Sequence, residues 1–205
     1  MPVQEKKLEV VPYDPGWPAA FEAEASRLRT ALGTLALRID HHGSTSIPGL
    51  AAKPIIDIQV SVGALQPIAA YGERLQAIGY VHVPHPDDSF CPFFHRPPQW
   101  PHSHHVHVVQ EGGAEERRTL AFRDYLNDHA AAACEYEHLK RDLATQFEAS
   151  DHESREAYAR AKTDFIERVV ATALRSGYPR AFFQPTELPN QALHASAARK
   201  RSGRE

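Results

Sequence analysis

Sulfur-containing residues and long apolar runs are scarce in this chain of 205 residues. It contains two cysteines, Cys91 and Cys134, and one methionine. No run of about 18 apolar residues occurs, so the sequence predicts no membrane-spanning helix. The first residues lack the apolar segment of a secretory signal, and the cysteines do not form a paired zinc motif. We therefore expect a cytoplasmic protein in which both thiols are free.

Charge of either sign is also not in excess. The formal net charge is −3, with 24% charged and 42% apolar residues. These values are typical of a globular protein and exclude a wholly disordered chain. They provide no general attraction to nucleic acid or to anionic lipid. We expect neither a specific nucleic-acid partner nor a membrane partner, and the oligomeric state stays open.

Histidine is the one residue type present in surplus. Nine of the 13 histidines lie between residues 41 and 107. His105 and His107 alternate with valines, so both side chains are expected on one face of a strand. Imidazole is a common ligand of transition metals, which makes this strand a candidate metal site. Hydrogen-bonded sheet histidines beside a polar loop are the alternative.

The pattern of apolar residues predicts an α+β domain over residues 10–180. Between the short N-terminal extension 1–9 and the flexible C-terminal tail 181–205, a small mixed β-sheet is backed by helices, and the C-terminal half is helical. The predicted helices span 14–33, 65–78, 116–128, 131–148 and 151–176, the last preceded by a capping box of Ser150 and Glu153. The predicted strands span 37–41 and 54–62, with three short strands between 80 and 110 that include 90–95 and 104–109.

A loop rich in glycine, serine and proline joins the first two predicted strands. Gly43 allows close approach of a ligand to the backbone because it has no Cβ. Ser44, Thr45 and Ser46 add hydroxyl donors to the backbone amides, which together suit phosphate oxygens. Asp57 on the next strand would hold a divalent metal ion beside that phosphate. A tight strand connection with polar filler is the alternative interpretation.

This arrangement resembles a known family. Gly43-Ser44 followed by Asp57 in an apolar strand is similar to the signature of the DNA polymerase β-like nucleotidyltransferase superfamily, and the segment 41–57 resembles the GrpB family more narrowly. The resemblance continues through most of the chain, at 13–17, 104–108, 120–126 and 161–166. It implies the sheet of that superfamily and transfer of a nucleoside monophosphate from a nucleotide to an unknown small-molecule or macromolecular acceptor, with Mg²⁺ or Mn²⁺. GrpB-like chains also occur fused behind dephospho-CoA kinase in some bacteria.

One departure from the superfamily pattern concerns the metal ligands. Gln59 stands where active members usually carry a second carboxylate, and the strand expected to supply a third carries His105 and His107 instead. Catalytic and metal-binding roles are therefore predicted for Asp57, His105 and His107, with His41 as a further metal ligand. A site rich in nitrogen suits Zn²⁺ or Mn²⁺ better than Mg²⁺.

Basic residues provide the remaining candidates. Lys53, Arg96 and Arg123 are predicted to bind phosphate, and Lys140 and Lys162 follow as second-line candidates. For each of them, a solvated or salt-bridged surface position is the alternative.

Three functions compete on this sequence. Nucleotidyl transfer is the first, and it follows from the family resemblance. A catalytically degenerate module that binds a nucleotide or a coenzyme A precursor is favoured by Gln59. A metal-dependent hydrolase that uses histidine and aspartate is favoured by the histidine strand.

Overall fold

The computed structural model describes residues 9–147 and 151–180. The first half comprises α1 (Trp17–Leu32), β1 (Arg38–His42), β2 (Ile56–Val62), α2 (Ala69–Ala77), β3 (Val81–Val83), β4 (Phe93–Arg96) and β5 (His104–Gln110). The second half comprises α3 (Ala114–Asp128), α4 (Ala130–Gln146), α5 (His152–Arg160) and α6 (Thr163–Arg175). The predicted order of helices and strands is confirmed up to the last helix.

The five strands form one mixed sheet in the order β1-β2-β5-β4-β3. β2 and β5 pair in parallel, and the other neighbours pair antiparallel. The parallel pair needs a long connection, which α2, β3 and β4 provide. The predicted α+β class with a small mixed sheet is confirmed.

One face of the sheet packs against α1 and α2. Alternate residues of β2, Ile56, Ile58, Val60 and Val62, are buried in this core because successive side chains of a strand point to opposite faces. α1 presents a stripe at helical spacing to the same core, formed by Phe21, Ala25, Leu28 and Leu32.

The opposite face of the sheet is polar. α3 lies against β5 and β1 on this side. A second apolar cluster then joins the loop after β1 to the C-terminal helices, and its members are Ile47, Leu50, Phe122, Leu126, Tyr136, Phe165, Val169 and Val170. The helical half of the chain is therefore attached next to the loop that the sequence analysis singled out.

One prediction about the helical half is wrong. The predicted helix 151–176 is two helices, because the chain bends at Ala161 and Lys162 between α5 and α6. The bend lets Tyr158 of α5 pack with Leu143, whereas α6 packs in the cluster around Phe165. The N-cap of α5 is Asp151, which accepts a hydrogen bond of 2.8 Å from the Ser154 amide.

The predicted capping residue Ser150 lies outside the described residues, as do the tail 181–205 and all of the N-terminal extension except Glu9. Within the described ranges, no helix has the length and apolarity that crossing a membrane requires. Cys91 and Cys134 are free thiols.

A buried carboxylate on α1 forms hydrogen bonds with residues of β4 and of the segment before β3. Glu24 is 3% exposed and accepts hydrogen bonds from Arg27 at 2.8 Å, from Arg96 at 2.8 Å and from the Tyr80 hydroxyl at 2.9 Å. A buried carboxylate is tolerated when several donors satisfy its oxygens.

Replacing this carboxylate tests its contribution to stability. Glu24→Ala leaves Arg96 and Tyr80 without their partner, so we expect the free energy of unfolding to fall by about 2–3 kcal/mol. Urea denaturation measures it, with Glu22→Ala on the exposed side of the same helix as the control. Equal losses in the two variants would show that the network contributes nothing beyond helix propensity.

Candidate functional site

Four neighbouring strands place one polar side chain each in a single row on the polar face of the sheet. In the pairing register, His42 of β1 lies opposite Asp57 of β2, Asp57 lies beside His105 of β5, and His105 lies opposite His95 of β4. Residues paired in register point to the same face, so the row follows directly from the strand order. His107 follows on the same face of β5, two residues after His105.

Three of these residues form a group with the dimensions of a metal site, which we call the metal-like group. Asp57, His105 and His107 each offer one ligand atom, and these atoms all lie within 4.8 Å of one another. His105 Nδ1 and Asp57 Oδ1 are 3.2 Å apart, and their side chains are 21% and 28% exposed. Solvent can therefore reach the group, and the paired strands β2 and β5 hold its residues in position. The structure brings these three predicted site residues together.

The charge state of this group suits cation binding. Burial lowers the pKa of His107 to about 4 and, with help from the neighbouring His107, that of His42 to about 3. Burial opposes ionisation of Asp57, but its hydrogen bond to His105 and the surrounding imidazoles hold the pKa of this carboxyl well below its usual range. At neutral pH, an ionised carboxylate therefore lies beside the neutral imidazoles of His42 and His107, and these are the forms that bind metals.

His41, which the sequence analysis predicts as a metal ligand, is not part of this group. Its ring stacks on Phe21, with the ring centroids 4.8 Å apart, and its Nε2 lies 2.9 Å from the Thr45 hydroxyl. His42 instead shares the face of Asp57, and its buried Nε2 has no hydrogen-bond partner among the described residues. The alternation of side chains along β1 indicates the same orientation of His41. Ile39 points to the apolar core, and His41, two residues later, lies on the same face.

The close approach of Asp57 requires a glycine at position 43. Its φ is 69°, and a Cβ built at this position lies 2.8 Å from the Cβ and 2.9 Å from the Cγ of Asp57. Real Cβ atoms do not approach so closely, so any other residue would displace the carboxylate. The backbone of the loop therefore closes one side of the Asp57 side chain.

The hydroxyl groups of the loop shape the loop itself. Ser46 Oγ donates to the Gly43 carbonyl at 2.6 Å, and Thr45 Oγ1 contacts the Ile55 carbonyl at 3.3 Å in addition to His41. Ser44 lies near the Tyr136 phenol of α4, so the loop is close to the C-terminal helices at this point.

Gln59 lies on the same face of the sheet as Asp57 and beside His107 in the pairing register. It is fully buried beneath α3, where the Thr119 hydroxyl donates to its Oε1. Its Nε2 has no hydrogen-bond partner among the described residues. A carboxylate at this position would lie in the interior next to Thr119, which accounts physically for a neutral amide.

The two arginines predicted to bind phosphate are engaged elsewhere. Arg96 extends to the apolar side of the sheet, where it pairs with Glu24. Arg123 on α3 donates to the His41 carbonyl at 3.0 Å and pairs with Asp124 at 2.8 Å and with Asp40 at 3.6 Å. Each guanidinium group thus forms ion pairs with carboxylates of the protein. This agrees with the alternative interpretation, in which the arginines form salt bridges.

Two further histidines, His102 and His95, lie next to His105. His102 Nδ1 is 3.1 Å from His105 Nε2, and the rings of His102 and His95 stack with centroids 3.8 Å apart. His102 is therefore a hydrogen-bonded histidine beside the loop. It engages one nitrogen of His105 and thereby orients the ring toward Asp57.

Three lysines, Lys53, Lys140 and Lys162, lie near Asp57. Burial and the charge of the neighbouring Lys162 lower the pKa values of Lys53 and Lys140 to about 7, while burial lowers that of Lys162 to about 8. The carboxylate of Asp57 acts on all three in the opposite direction. Of these, Lys53 is the residue that the loop motif pointed to, and the other two come from distant parts of the sequence.

Comparisons with known proteins cover all of these residues. Residues 7–172 match the family model described as GrpB protein. The structure of conserved protein GrpB from Enterococcus faecalis is similar, with a TM-score of 0.72 and 35% sequence identity, over 82% of this chain and 98% of that chain. All five strands and the three residues of the metal-like group lie within the matched range.

Two longer proteins also match. The UPF0157 protein YqkA of Bacillus subtilis is 34% identical over 170 residues, which are 83% of this chain and 48% of YqkA. A dephospho-CoA kinase of Mycolicibacterium paratuberculosis is 32% identical over 186 residues, which cover 75% of this chain and 46% of that protein. The chain therefore spans about half the length of these two relatives.

Two glycines with positive φ allow a matched test of the contact between Gly43 and Asp57. Gly49, with φ 80°, has no atom within 4 Å of a built Cβ, so Gly49→Ala measures backbone strain alone, about 1–2 kcal/mol. We expect Gly43→Ala to lose more stability than Gly49→Ala in urea denaturation, because it also displaces Asp57. Similar losses in the two variants would contradict the close contact.

The buried lysines make stability depend on pH. The pKa of Lys140 is about 7 in the folded protein and ordinary in the unfolded chain, so the unfolded chain binds more protons between pH 7 and 10. Stability should therefore rise with pH through this window. From pH 7 to pH 9 we expect the free energy of unfolding to rise by about 1–2 kcal/mol more in the wild type than in Lys140→Met. Equal slopes in urea denaturation at the two pH values would show that Lys140 titrates normally.

Proposed function

The chain belongs to the GrpB family, and from that premise we propose that it binds a nucleotide together with a divalent metal ion and transfers a nucleoside monophosphate from it to an acceptor. The observation that carries the proposal is the convergence of Asp57, His105 and His107 within 4.8 Å on two parallel strands. The resemblance of the Gly43-Ser44 loop and Asp57 to nucleotidyltransferases supports the choice of reaction.

The donor atoms present fit a transition-metal ion. One carboxylate oxygen and two imidazole nitrogens suit Mn²⁺ or Zn²⁺, whereas Mg²⁺ prefers oxygen ligands. His42 adds a further nitrogen on the same face, with no partner among the described residues. A bound ion would supply a Lewis acid that neutralises phosphate charge.

The protein itself supplies position and electrostatics. Asp57 stays ionised, Gly43 closes one side of its carboxylate, and His102 orients His105. In the transfer, an acceptor hydroxyl or amine forms a bond to the α-phosphorus, and the bond from that phosphorus to the pyrophosphate oxygen breaks. Pyrophosphate leaves, and the proton of the acceptor passes to solvent. Charge neutralisation and positioning account for most of the rate of such a transfer.

A binding module without turnover is the second candidate, and the environment of Gln59 favours it. Since this amide is buried against Thr119, the described residues offer one carboxylate to the metal-like group instead of the usual pair. Water in place of the acceptor would make the same site a hydrolase, which is the function that the histidines of β5 favour.

Metal binding is the first test. We expect untagged protein stripped with a chelator to bind Mn²⁺ or Zn²⁺ at one site in calorimetry, and Mg²⁺ more weakly. Asp57→Asn should lower the affinity roughly tenfold or more. His104→Asn is the matched control, because His104 lies on the same strand and faces the opposite side of the sheet. Absence of metal binding, or equal binding by Asp57→Asn, would overturn the proposal.

Turnover separates the candidate functions. The metal-loaded protein is incubated with labelled nucleoside triphosphates and fractionated cell extract, and released pyrophosphate is measured. Release that needs a fraction of the extract and is lost in Asp57→Asn supports transfer. Nucleotide binding without any release supports the binding module, and formation of the monophosphate without an acceptor identifies a hydrolase.

A further inference from the structure

Three ammonium groups from separate segments meet around two tyrosines. Lys53 Nζ lies 4.2 Å from the centroid of the Tyr158 ring, and Lys162 Nζ lies 4.4 Å from the same centroid. Lys140 Nζ lies 4.8 Å from the centroid of the Tyr136 ring and donates to the Ala51 carbonyl. The tertiary structure thus brings together lysines that lie in three separate segments of the sequence.

Within residues 9–147 and 151–180, none of the three lysines forms an ion pair with a carboxylate. Glu137, which precedes Lys140 by three residues on α4, instead accepts from the Ala51 amide at 3.0 Å and from Arg141 at 2.9 Å. Burial, and after it the repulsion from the like charge of Lys162, lowers the pKa values of Lys53 and Lys140. No carboxylate of the described residues therefore neutralises these three lysines by an ion pair.

A buried hydroxyl is an independent sign of a missing ligand. Tyr158 is fully buried, and its hydroxyl has no hydrogen-bond partner among the described residues. Burial and the neighbouring Tyr136 raise the pKa of this phenol, so the two phenols lie near each other. Tyr136 in turn lies near Ser44, in the loop beside Asp57. Buried polar groups without a partner are uncommon and call for one.

We propose that Lys53, Lys140, Lys162 and the Tyr158 hydroxyl bind a chain of two or three phosphate groups, carried by a nucleoside or free. The site itself stands on the contacts above, and its continuity with the metal-like group rests on the proposed function. Asp57 influences all three lysines electrostatically, so the two sites are neighbours. A phosphate chain held by the lysines would extend toward Asp57.

The character of the site favours a small polyanion. Three positive charges match the several negative charges of a diphosphate or triphosphate better than the single charge of a carboxylate. Their partial burial suits a small ligand, since a nucleic-acid backbone is bound by exposed cations along a surface.

Calorimetry of inorganic tripolyphosphate with metal-free protein in excess EDTA tests the site. We expect binding that weakens roughly tenfold or more in Lys140→Met and in Lys162→Met. Arg175→Met removes one exposed charge from α6 and should bind as the wild type does. Tyr158→Phe removes only the unpartnered hydroxyl, so it should weaken binding without lowering the unfolding temperature. Absence of binding, or affinities equal to the control in the lysine variants, would overturn the proposal.

Two further arms separate the ligand sources and the two proposals. ATP should show the same losses in the lysine variants as tripolyphosphate, whereas AMP, with its single phosphate group, should show none. Equal losses for AMP would overturn the assignment to a phosphate chain. Asp57→Asn should retain metal-free tripolyphosphate binding, and the lysine variants should retain Mn²⁺ or Zn²⁺ binding. Failure of the metal site therefore leaves a result distinct from failure of the phosphate site.

Discussion

The parallel pairing of β2 with β5 is the interaction on which the rest of this structure depends. It places Asp57 beside His105, and it requires the long connection through α2, β3 and β4. A shift by one residue would turn Asp57 toward the apolar core and an isoleucine toward solvent. The apolar residues of β2 thus hold the register that the metal-like group needs.

Several buried polar atoms of the described residues lack a hydrogen-bond partner, and some of them lie at the candidate site. The His42 imidazole lies opposite Asp57, the Gln59 amide lies under α3, and the Tyr158 hydroxyl belongs to the ring beside Lys53 and Lys162. Others occur at His82, Asp88 and Arg96. His42 and Tyr158 are the two whose free atoms a ligand at the proposed sites would satisfy.

Local patterns predicted the architecture well because periodicity reports burial directly. The order of elements, the shared face of His105 and His107 and the placement of Asp57 all follow from strand alternation. The break before Lys162 was missed since no glycine or proline marks it, and it arises because α5 and α6 pack in different clusters. The partners of Arg96 and Arg123 lie far away in sequence, so their neutralisation was not visible. The meeting of Lys140 and Lys162 with Lys53 is likewise a tertiary event.

The contact between Gly43 and Asp57 also bears on entropy. A carboxylate on a strand ordinarily samples several rotamers, and a ligand that it binds must restrict them. Here the backbone of the loop occupies one side of the side chain, and the hydrogen bond with His105 occupies another. The conformational freedom of Asp57 is therefore lost during folding. A cation that reaches this carboxylate meets a preorganised ligand and does not have to offset the ordering of that side chain.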